Sequence, residues 1–172
     1  MSDMHHHDDS ESTPVEYAKF IGVIAFIVGI TWFAYSRSDL SGADEFMRIF
    51  MGIFLTVFAG FKFAGYKMFV MMFQGYDLIA KRSQLYARAY PFIEQLLGAA
   101  FLLDILPTPR NIVLLMIMGI GSVGVFYEIK HRRSGVYCAC LGNIIKLPLS
   151  TVSLVENLTM VAMASAMLAG IV

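Results

Sequence analysis

Long apolar runs, separated by short charged stretches, make up most of the chain from residue 20 onward. A helix that crosses a bilayer needs about 20 mostly apolar residues, within a range of about 17–25. Backbone polar groups must be satisfied inside the hydrocarbon, so such runs should be helices. The pattern predicts five spanning helices, at about Phe20–Ser36, Phe46–Ala64, Ala87–Leu106, Asn111–Tyr127 and Leu149–Val172. Pro107-Thr108-Pro109 is predicted to stop the third of them.

The stretch Tyr66–Arg82 has a different pattern. Its apolar residues recur at helical spacing, and the opposite face carries Lys67, Gln74, Asp77 and Lys81. This pattern predicts an amphipathic helix that lies in the membrane interface or extends the second span along the surface. A helical loop packed on the bundle is the alternative.

The first sixteen residues are polar and acidic, with five acids and no Lys or Arg. They predict a solvated tail over residues 1–16, followed by an extra transmembrane helix over 17–37 and a membrane domain over 46–172. The tail contains His5, His6 and His7 beside two aspartates, a composition that could collect Cu, Ni or Zn ions. A polar tail without a metal function is the alternative.

The composition supports a membrane protein. Hydrophobic residues make up 58% of the chain, charged residues 15%, and the mean hydropathy is +0.66, whereas a typical globular domain is about 45–50% apolar and about 25% charged. We therefore expect an all-α, polytopic transmembrane bundle surrounded by a lipid bilayer. Thirteen basic and thirteen acidic side chains cancel, which excludes a basic nucleic-acid binder.

The distribution of Lys and Arg between the loops predicts the orientation. Nine of these residues belong to the tail and the even-numbered loops: Lys19, Lys67, Lys81, Arg82, Arg88, Lys130, Arg132, Arg133 and Lys146. The other side has Arg37, Arg110 and Arg48. The bias predicts a multi-pass protein of the cell membrane, a bacterial inner membrane, with a cytoplasmic amino terminus and the carboxyl terminus outside.

Four charges fall inside predicted spans: Arg48, Lys62, Glu94 and Glu156. A lone charge deep in lipid is disfavoured, but this set is balanced. Lys62 and Glu94 have similar predicted depths, which favours an ion pair between them, whereas Arg48 lies near the outer face and can snorkel. The network either locks the helices together or forms a polar cluster that handles a proton, a quinone or a metal.

Cys138 and Cys140 stand one residue apart in the predicted loop before the last span. Two such thiols can close a small, strained and readily reduced disulfide, or present two soft thiolates to a Cu(I)- or Zn-type ion. Two inert side chains at a helix end are the third interpretation. The predicted cytoplasmic location is reducing, which disfavours a stable disulfide, so the pair either cycles or binds metal.

A glycine string, Gly119-Ile-Gly121-Ser-Val-Gly124, matches the letters of a dinucleotide-binding motif. It lies inside an apolar span without a preceding strand, so phosphate binding is not expected. Small residues in a membrane helix allow close helix packing, which is the interpretation that we prefer.

Three motifs in order resemble the MauE/DoxX-like membrane proteins. They are Arg48-Ile-Phe-Met-Gly52 with Ala59-Gly60-Phe-Lys62, then Tyr90-Pro91-Phe-Ile-Glu94-Gln-Leu-Leu-Gly98, then Cys138-Ala-Cys140-Leu-Gly142. The resemblance covers about residues 46–168. This chain departs from the family pattern at Ala139, where the family has glycine, and at Leu141, where it has phenylalanine.

The resemblance implies a redox-associated four-helix membrane core, here with one extra amino-terminal helix. MauE serves the maturation of methylamine dehydrogenase, which depends on disulfides, alongside a thioredoxin-like partner, and DoxX proteins are linked to sulfur-compound oxidation with quinone. We therefore expect a redox auxiliary in which Cys138 and Cys140 exchange electrons or disulfides with a thioredoxin-like or quinone partner. The alternatives are a soft-metal binding or transport component using these thiols and His5–His7, with a metal-binding protein as partner, and a structural assembly subunit.

Overall fold

Helices form nearly all of the chain that the structure describes. The computed structural model describes residues 14–38, 42–131 and 149–170. Within these ranges the helices are α1 Pro14–Arg37, α2 Ala43–Ala64, α3 Tyr66–Tyr76, α4 Gln84–Leu102, α5 Pro107–His131 and α6 Leu149–Leu168. The described part is all-α, as the sequence predicts, and has six helices, one more than the five predicted spans, because the predicted amphipathic helix is also present.

Three helices of the described residues are long and apolar enough to cross a membrane. They are Ala18–Arg37 in α1, Ala43–Ala64 in α2 and Pro107–Tyr127 in α5. These coincide with the first, second and fourth predicted spans. The other two predicted spans coincide with α4, of 19 residues, and α6, of 20 residues. Their crossing of the bilayer stays a prediction.

The predicted end of the third span is wrong for a local reason. α4 ends at Leu102, four residues before the predicted end, and the following turn holds Asp104 at φ 52° and Leu106 at φ 50°. Left-handed residues cannot continue a right-handed helix. Pro107 therefore does not stop α4 but opens α5, at the first helical position, where the missing N–H of proline costs nothing. The start of the first helix also differs from the prediction, since α1 begins at Pro14, within the predicted tail of residues 1–16.

The predicted amphipathic helix is present as α3, which is shorter than expected and ends at Tyr76. It follows α2 after the single residue Gly65. Phe69, Phe73 and Tyr76 are buried, and the Phe73 ring lies 4.4 Å from the ring of Tyr90 on α4. The apolar face of α3 is therefore packed on the bundle.

The main core lies between α2, α4, α5 and α6. It contains stacked rings of Phe54 and Phe58, with centroids 4.2 Å apart, and side chains of α4, α5 and α6 such as Phe101, Leu114 and Met160. α2 packs on α4, α5 packs on α6, and α1 contacts α2 alone among the described helices. The outer face of α1 exposes large apolar residues: Ile21, Phe26, Trp32 and Phe33. Such a surface is suited to lipid.

Candidate functional site: a buried ion pair beside an aromatic wall

A buried ion pair joins α2 to α4. The ammonium of Lys62 donates a hydrogen bond to the carboxylate of Glu94, and the two side chains are 5% and 4% exposed. Lys62 lies in the last turn of α2, and Glu94 lies in the middle of α4. The structure thus contains the ion pair that the sequence predicts. Removing both charges from water is costly, so the pair is stable only because each partner neutralises the other.

Two aromatic rings also lie next to the Lys62 ammonium. The Nζ atom of Lys62 lies 5.0 Å from the ring centroid of Tyr90 and 5.7 Å from that of Phe69. A cation over the face of an aromatic ring is attracted by the ring quadrupole within about 6 Å. The rings of Phe69, Phe73 and Tyr90 also contact one another. Aromatic rings of α3 and α4 therefore hold the Lys62 ammonium in place.

Glu156 of α6 lies at the same site. It is 9% exposed, and it lines a small cavity of about 30 Å³ together with Lys62, Glu94 and Asn157. A cavity of this size has room for one or two water molecules, which is too little for a quinone ring. Three of the four predicted network residues therefore line one small cavity, whose other walls are mainly aromatic and apolar.

Small residues bring the helices close enough to form this site. A Cβ atom on Gly98 of α4 would lie 2.7 Å from the Thr56 side chain and 3.1 Å from the Gly52 carbonyl of α2. On α5, a Cβ atom on Gly121 would meet Asn157 at 3.3 Å, and one on Gly124 would meet the Tyr76 carbonyl at 2.9 Å. Close packing through the glycine string is confirmed at these two positions.

Gly119, the first glycine of the string, has open space where a Cβ atom would stand. The contact role predicted for the string therefore does not extend to it.

Arg48, the fourth network residue, belongs to a different cluster. Fourteen residues separate it from Lys62 on α2, a rise of about 21 Å along the helix. Arg48 is 8% exposed, pairs with Glu45, and donates to the carbonyl oxygens of Phe101 (2.5 Å) and Leu102 (3.1 Å). The expectation that it snorkels to the surface is wrong. It satisfies carbonyls at the carboxyl end of α4, where a cation is favourable.

Arg110 is a buried residue that sequence reasoning counted only as a loop charge. It is 4% exposed and donates to the Asp104 carboxylate at 2.7 Å and to the Ala100 carbonyl at 3.3 Å. Its guanidinium also lies 4.8 Å from the Phe101 ring centroid. The sequence signal that could have identified it is its position directly after Pro107-Thr108-Pro109. This position lies in the first turn of α5, next to the loop that contains Asp104. It holds the left-handed turn between α4 and α5.

Asp77 was predicted on a polar, exposed helix face, and this is wrong, because the residue is 1% exposed. Its Oδ1 atom accepts hydrogen bonds from the amides of Ile79 (2.9 Å) and Ala80 (2.8 Å), the pattern of an Asx turn. Burial raises the pKa of Asp77, against the opposing effect of these two N–H donors and of Lys81. An aspartate just after a helix is the sequence signal for such a turn.

The remaining predicted site residues lie outside the described residues. These are Cys138, Cys140, His5, His6 and His7. Within residues 14–38, 42–131 and 149–170, there is no group of three or more His, Cys, Asp or Glu side chains that could hold a metal ion.

One comparison with known proteins gives a match. The family model described as "Methylamine utilisation protein MauE" matches residues 17–170, which includes all described helices from the second turn of α1 to the end of α6. No curated protein and no solved structure matches this chain.

Proposed function

The chain belongs to the MauE family of membrane proteins, and on that premise we propose that it is a thiol-dependent auxiliary of methylamine utilisation. Cys138 and Cys140 exchange a disulfide with a thioredoxin-like partner in this proposal. The observation that carries it is the match of the family model, which spans both the described bundle and the two cysteines.

The exchange transfers two electrons and balances without another reactant. One thiolate of the Cys138/Cys140 pair attacks a sulfur of the partner's disulfide, which gives a mixed disulfide and releases one partner thiolate. The second thiolate of the pair then displaces the partner's other sulfur. The pair is oxidised to a disulfide, the partner is reduced to two thiols, and the two thiol protons pass to the partner's sulfurs.

The buried cluster lies near the helix ends that carry the cysteine segment. Gly121 and Val125 of α5 line the cavity, and α5 ends at His131. Glu156 lines the cavity too, and α6 begins at Leu149, seven residues earlier. At about 1.5 Å per residue, both helix ends lie about 10 Å from the cavity along their axes. The Lys62–Glu94 pair thus lies near the described ends of the two helices between which the cysteines stand in the sequence, which supports the proposal.

In this proposal the electron partner is a thioredoxin-like protein rather than a quinone. The cavity beside Lys62 has about 30 Å³, so a quinone ring does not fit next to the buried ion pair. The proposal further places the protein in the cell membrane, with the amino terminus and the cysteine segment in the cytoplasm and the carboxyl terminus outside. The excess of Lys and Arg in the even-numbered loops supports this orientation.

Thiol trapping in intact cells tests the proposal. Rapid alkylation with a mass-tagged reagent reports the redox state of the pair, which we expect to shift when the thioredoxin-like partner is deleted. Cys138→Ser and Cys140→Ser, each leaving one thiol, should accumulate a mixed disulfide with that partner. The matched control is Ser134→Cys in the double Cys→Ser background, a single thiol in the same segment, which should give no such adduct.

Two results contradict the proposal. Full methylamine-dependent growth of the double Cys→Ser variant would leave a structural assembly role. Protection of the thiols by added Cu(I) or Zn, with no dependence on the partner, would instead favour the soft-metal alternative. A membrane-impermeant thiol reagent tests the orientation, because it should label the pair only after the cells are opened.

A further inference from the structure

An open groove lies between α3 and the amino-terminal end of α4. It has a volume of about 630 Å³. α3 lines it with Lys67, Met71 and Gln74, and α4 lines it with Gln84 and Arg88. Residues three and four positions apart share one face of a helix, so each wall of the groove is one helix face that carries one cation and one amide. The amphipathic helix α3 therefore uses its polar face as a wall of this groove.

The charge of the groove is positive. Lys67 and Arg88 are both exposed and stand on opposite walls. None of the described residues that line the groove is acidic. From Tyr66 to Ile93 the chain has four basic residues and one acid, Asp77, which is buried and accepts hydrogen bonds from two backbone amides. An anion in the groove is therefore attracted from both walls.

The groove lies where the bundle meets the membrane surface. α2 is long and apolar enough to cross a membrane, and α3 begins two residues after its end. The hydroxyl of Tyr66, the first residue of α3, donates to the carbonyl oxygen of Arg88 at 2.9 Å, which ties the two walls together. One turn further along α4, Phe92 is 55% exposed, and its ring lies 4.9 Å from the Phe63 ring of α2. The cations therefore stand at the membrane boundary, with an exposed aromatic surface beside them.

We propose that this groove binds an anionic phospholipid, with the phosphate of its headgroup between Lys67 and Arg88. Guanidinium and ammonium groups form strong, charge-assisted hydrogen bonds with phosphate oxygens, and basic pockets between membrane helices bind anionic headgroups. The Gln74 amide can donate to the same headgroup. An acyl chain then lies along the exposed ring of Phe92. A soluble phosphate compound would gain nothing from that ring, which favours a lipid as the occupant. The inference does not rest on the proposed thiol exchange.

Native mass spectrometry of the full-length protein, released from detergent micelles with added lipid, tests the proposal. Phosphatidylglycerol should bind more tightly than phosphatidylcholine with the same acyl chains, because the choline cation of the latter balances its phosphate. A cation near an anionic headgroup contributes about fivefold in affinity. Lys67→Gln and Arg88→Gln should therefore each raise the Kd for phosphatidylglycerol about fivefold, and the double variant about 25-fold.

Matched controls separate the groove from the general surface charge. Arg82→Gln removes the same charge in the turn before α4, outside the groove, and should leave the Kd unchanged. Arg88→Lys keeps the charge and should retain most of the affinity. Glycerol 3-phosphate, a soluble fragment of the headgroup, should not displace the lipid at equal concentration. All substituted side chains are exposed, so the far-ultraviolet circular dichroism of the variants should match that of the unchanged protein.

Four results would overturn the proposal. An unchanged Kd in the double variant would mean that the groove is not the site. Equal weakening by Arg82→Gln and Arg88→Gln would mean that diffuse surface charge attracts the lipid. Displacement by glycerol 3-phosphate would mean that the ligand is a soluble phosphate ester. Binding of phosphatidylglycerol only after deletion of residues 1–12 would mean that this acidic segment, rather than a lipid, occupies the groove.

Discussion

Removal of the Glu94 charge is the sharpest test of how the buried pair stabilises the bundle. Breaking a buried ion pair by removing one partner costs about 3–5 kcal/mol, because the other charge is left without compensation. In Glu94→Gln, the Lys62 ammonium is 4% exposed and cannot reach water without leaving its site. Glu156 lines the same cavity, and its carboxyl group can offset part of the loss as a second partner for the ammonium. We therefore expect a loss of about 2–3 kcal/mol.

Two double variants bracket that value. Glu94→Gln with Lys62→Met removes both charges, and replacing a buried pair by apolar or neutral groups is often close to neutral. The lost contacts of the ammonium with Tyr90 and Phe69 are worth about 0.5–2 kcal/mol, so this variant should be less damaged than the single one. Glu94→Gln with Glu156→Gln removes both carboxylates and should reach the full loss of about 3–5 kcal/mol.

Unfolding by denaturant in detergent micelles, followed by far-ultraviolet circular dichroism, gives the three free energies. The midpoints should differ at a constant slope, because the surface exposed on unfolding is the same. If Glu94→Gln with Lys62→Met is as unstable as Glu94→Gln alone, the stranded ammonium is not the cause of the damage and the reasoning fails.

Three further predictions concern packing, backbone strain and pH. Gly98→Ala should cost about 1–3 kcal/mol, because its Cβ atom would lie 2.7 Å from Thr56, whereas Gly60→Ala, with open space, should cost far less; equal costs would contradict the close approach of α2 and α4. Leu106→Gly should stabilise the protein by about 1 kcal/mol, because glycine adopts a positive φ without strain. Leu106→Ala keeps the strain and should not stabilise it. A lower thermal unfolding temperature of Leu106→Gly would contradict this prediction. Burial raises the pKa of Asp77 in the folded protein, so the native state binds the proton more tightly and stability should fall as pH rises from the ordinary aspartate value through the raised one. Asp77→Asn should remove that slope in a pH series of unfolding measurements, and an unchanged slope would show that another group causes it.

The helices and one ion pair could be read from the sequence because they depend on local, one-dimensional features. Apolar runs of spanning length predict helices wherever lipid or a core must cover them, and they located α1, α2 and α5 with boundaries at most six residues from those of the structure. Lys62 and Glu94 are charged residues within two such apolar runs, at similar predicted depths in the bilayer. A lone buried charge is costly, so two opposite charges at one depth have a strong reason to meet.

The turn between α4 and α5 and the buried contacts of Arg48 could not be predicted from the sequence in the same way. Arg48 was close enough to a predicted helix end to reach water, and only the approach of the α4 carboxyl end gives it buried carbonyl partners. Asp104 and Leu106 adopt left-handed backbone conformations. Leucine has no local preference for this conformation, so its sequence position does not predict it. Arg110 holds that turn through contacts that require α4 and α5 to be in place.

The sequence by itself determined that this chain forms apolar helices in a bilayer and belongs to its family, because helix length, hydropathy and motif order are properties of the chain alone. The tertiary structure decided that Glu156 joins the Lys62–Glu94 pair while Arg48 does not. A helix pattern gives the face and depth of a charge, but not which helix stands opposite. That choice depends on close contacts between helices, such as those at Gly98 and Gly121, where a side chain as small as a methyl group would change the approach.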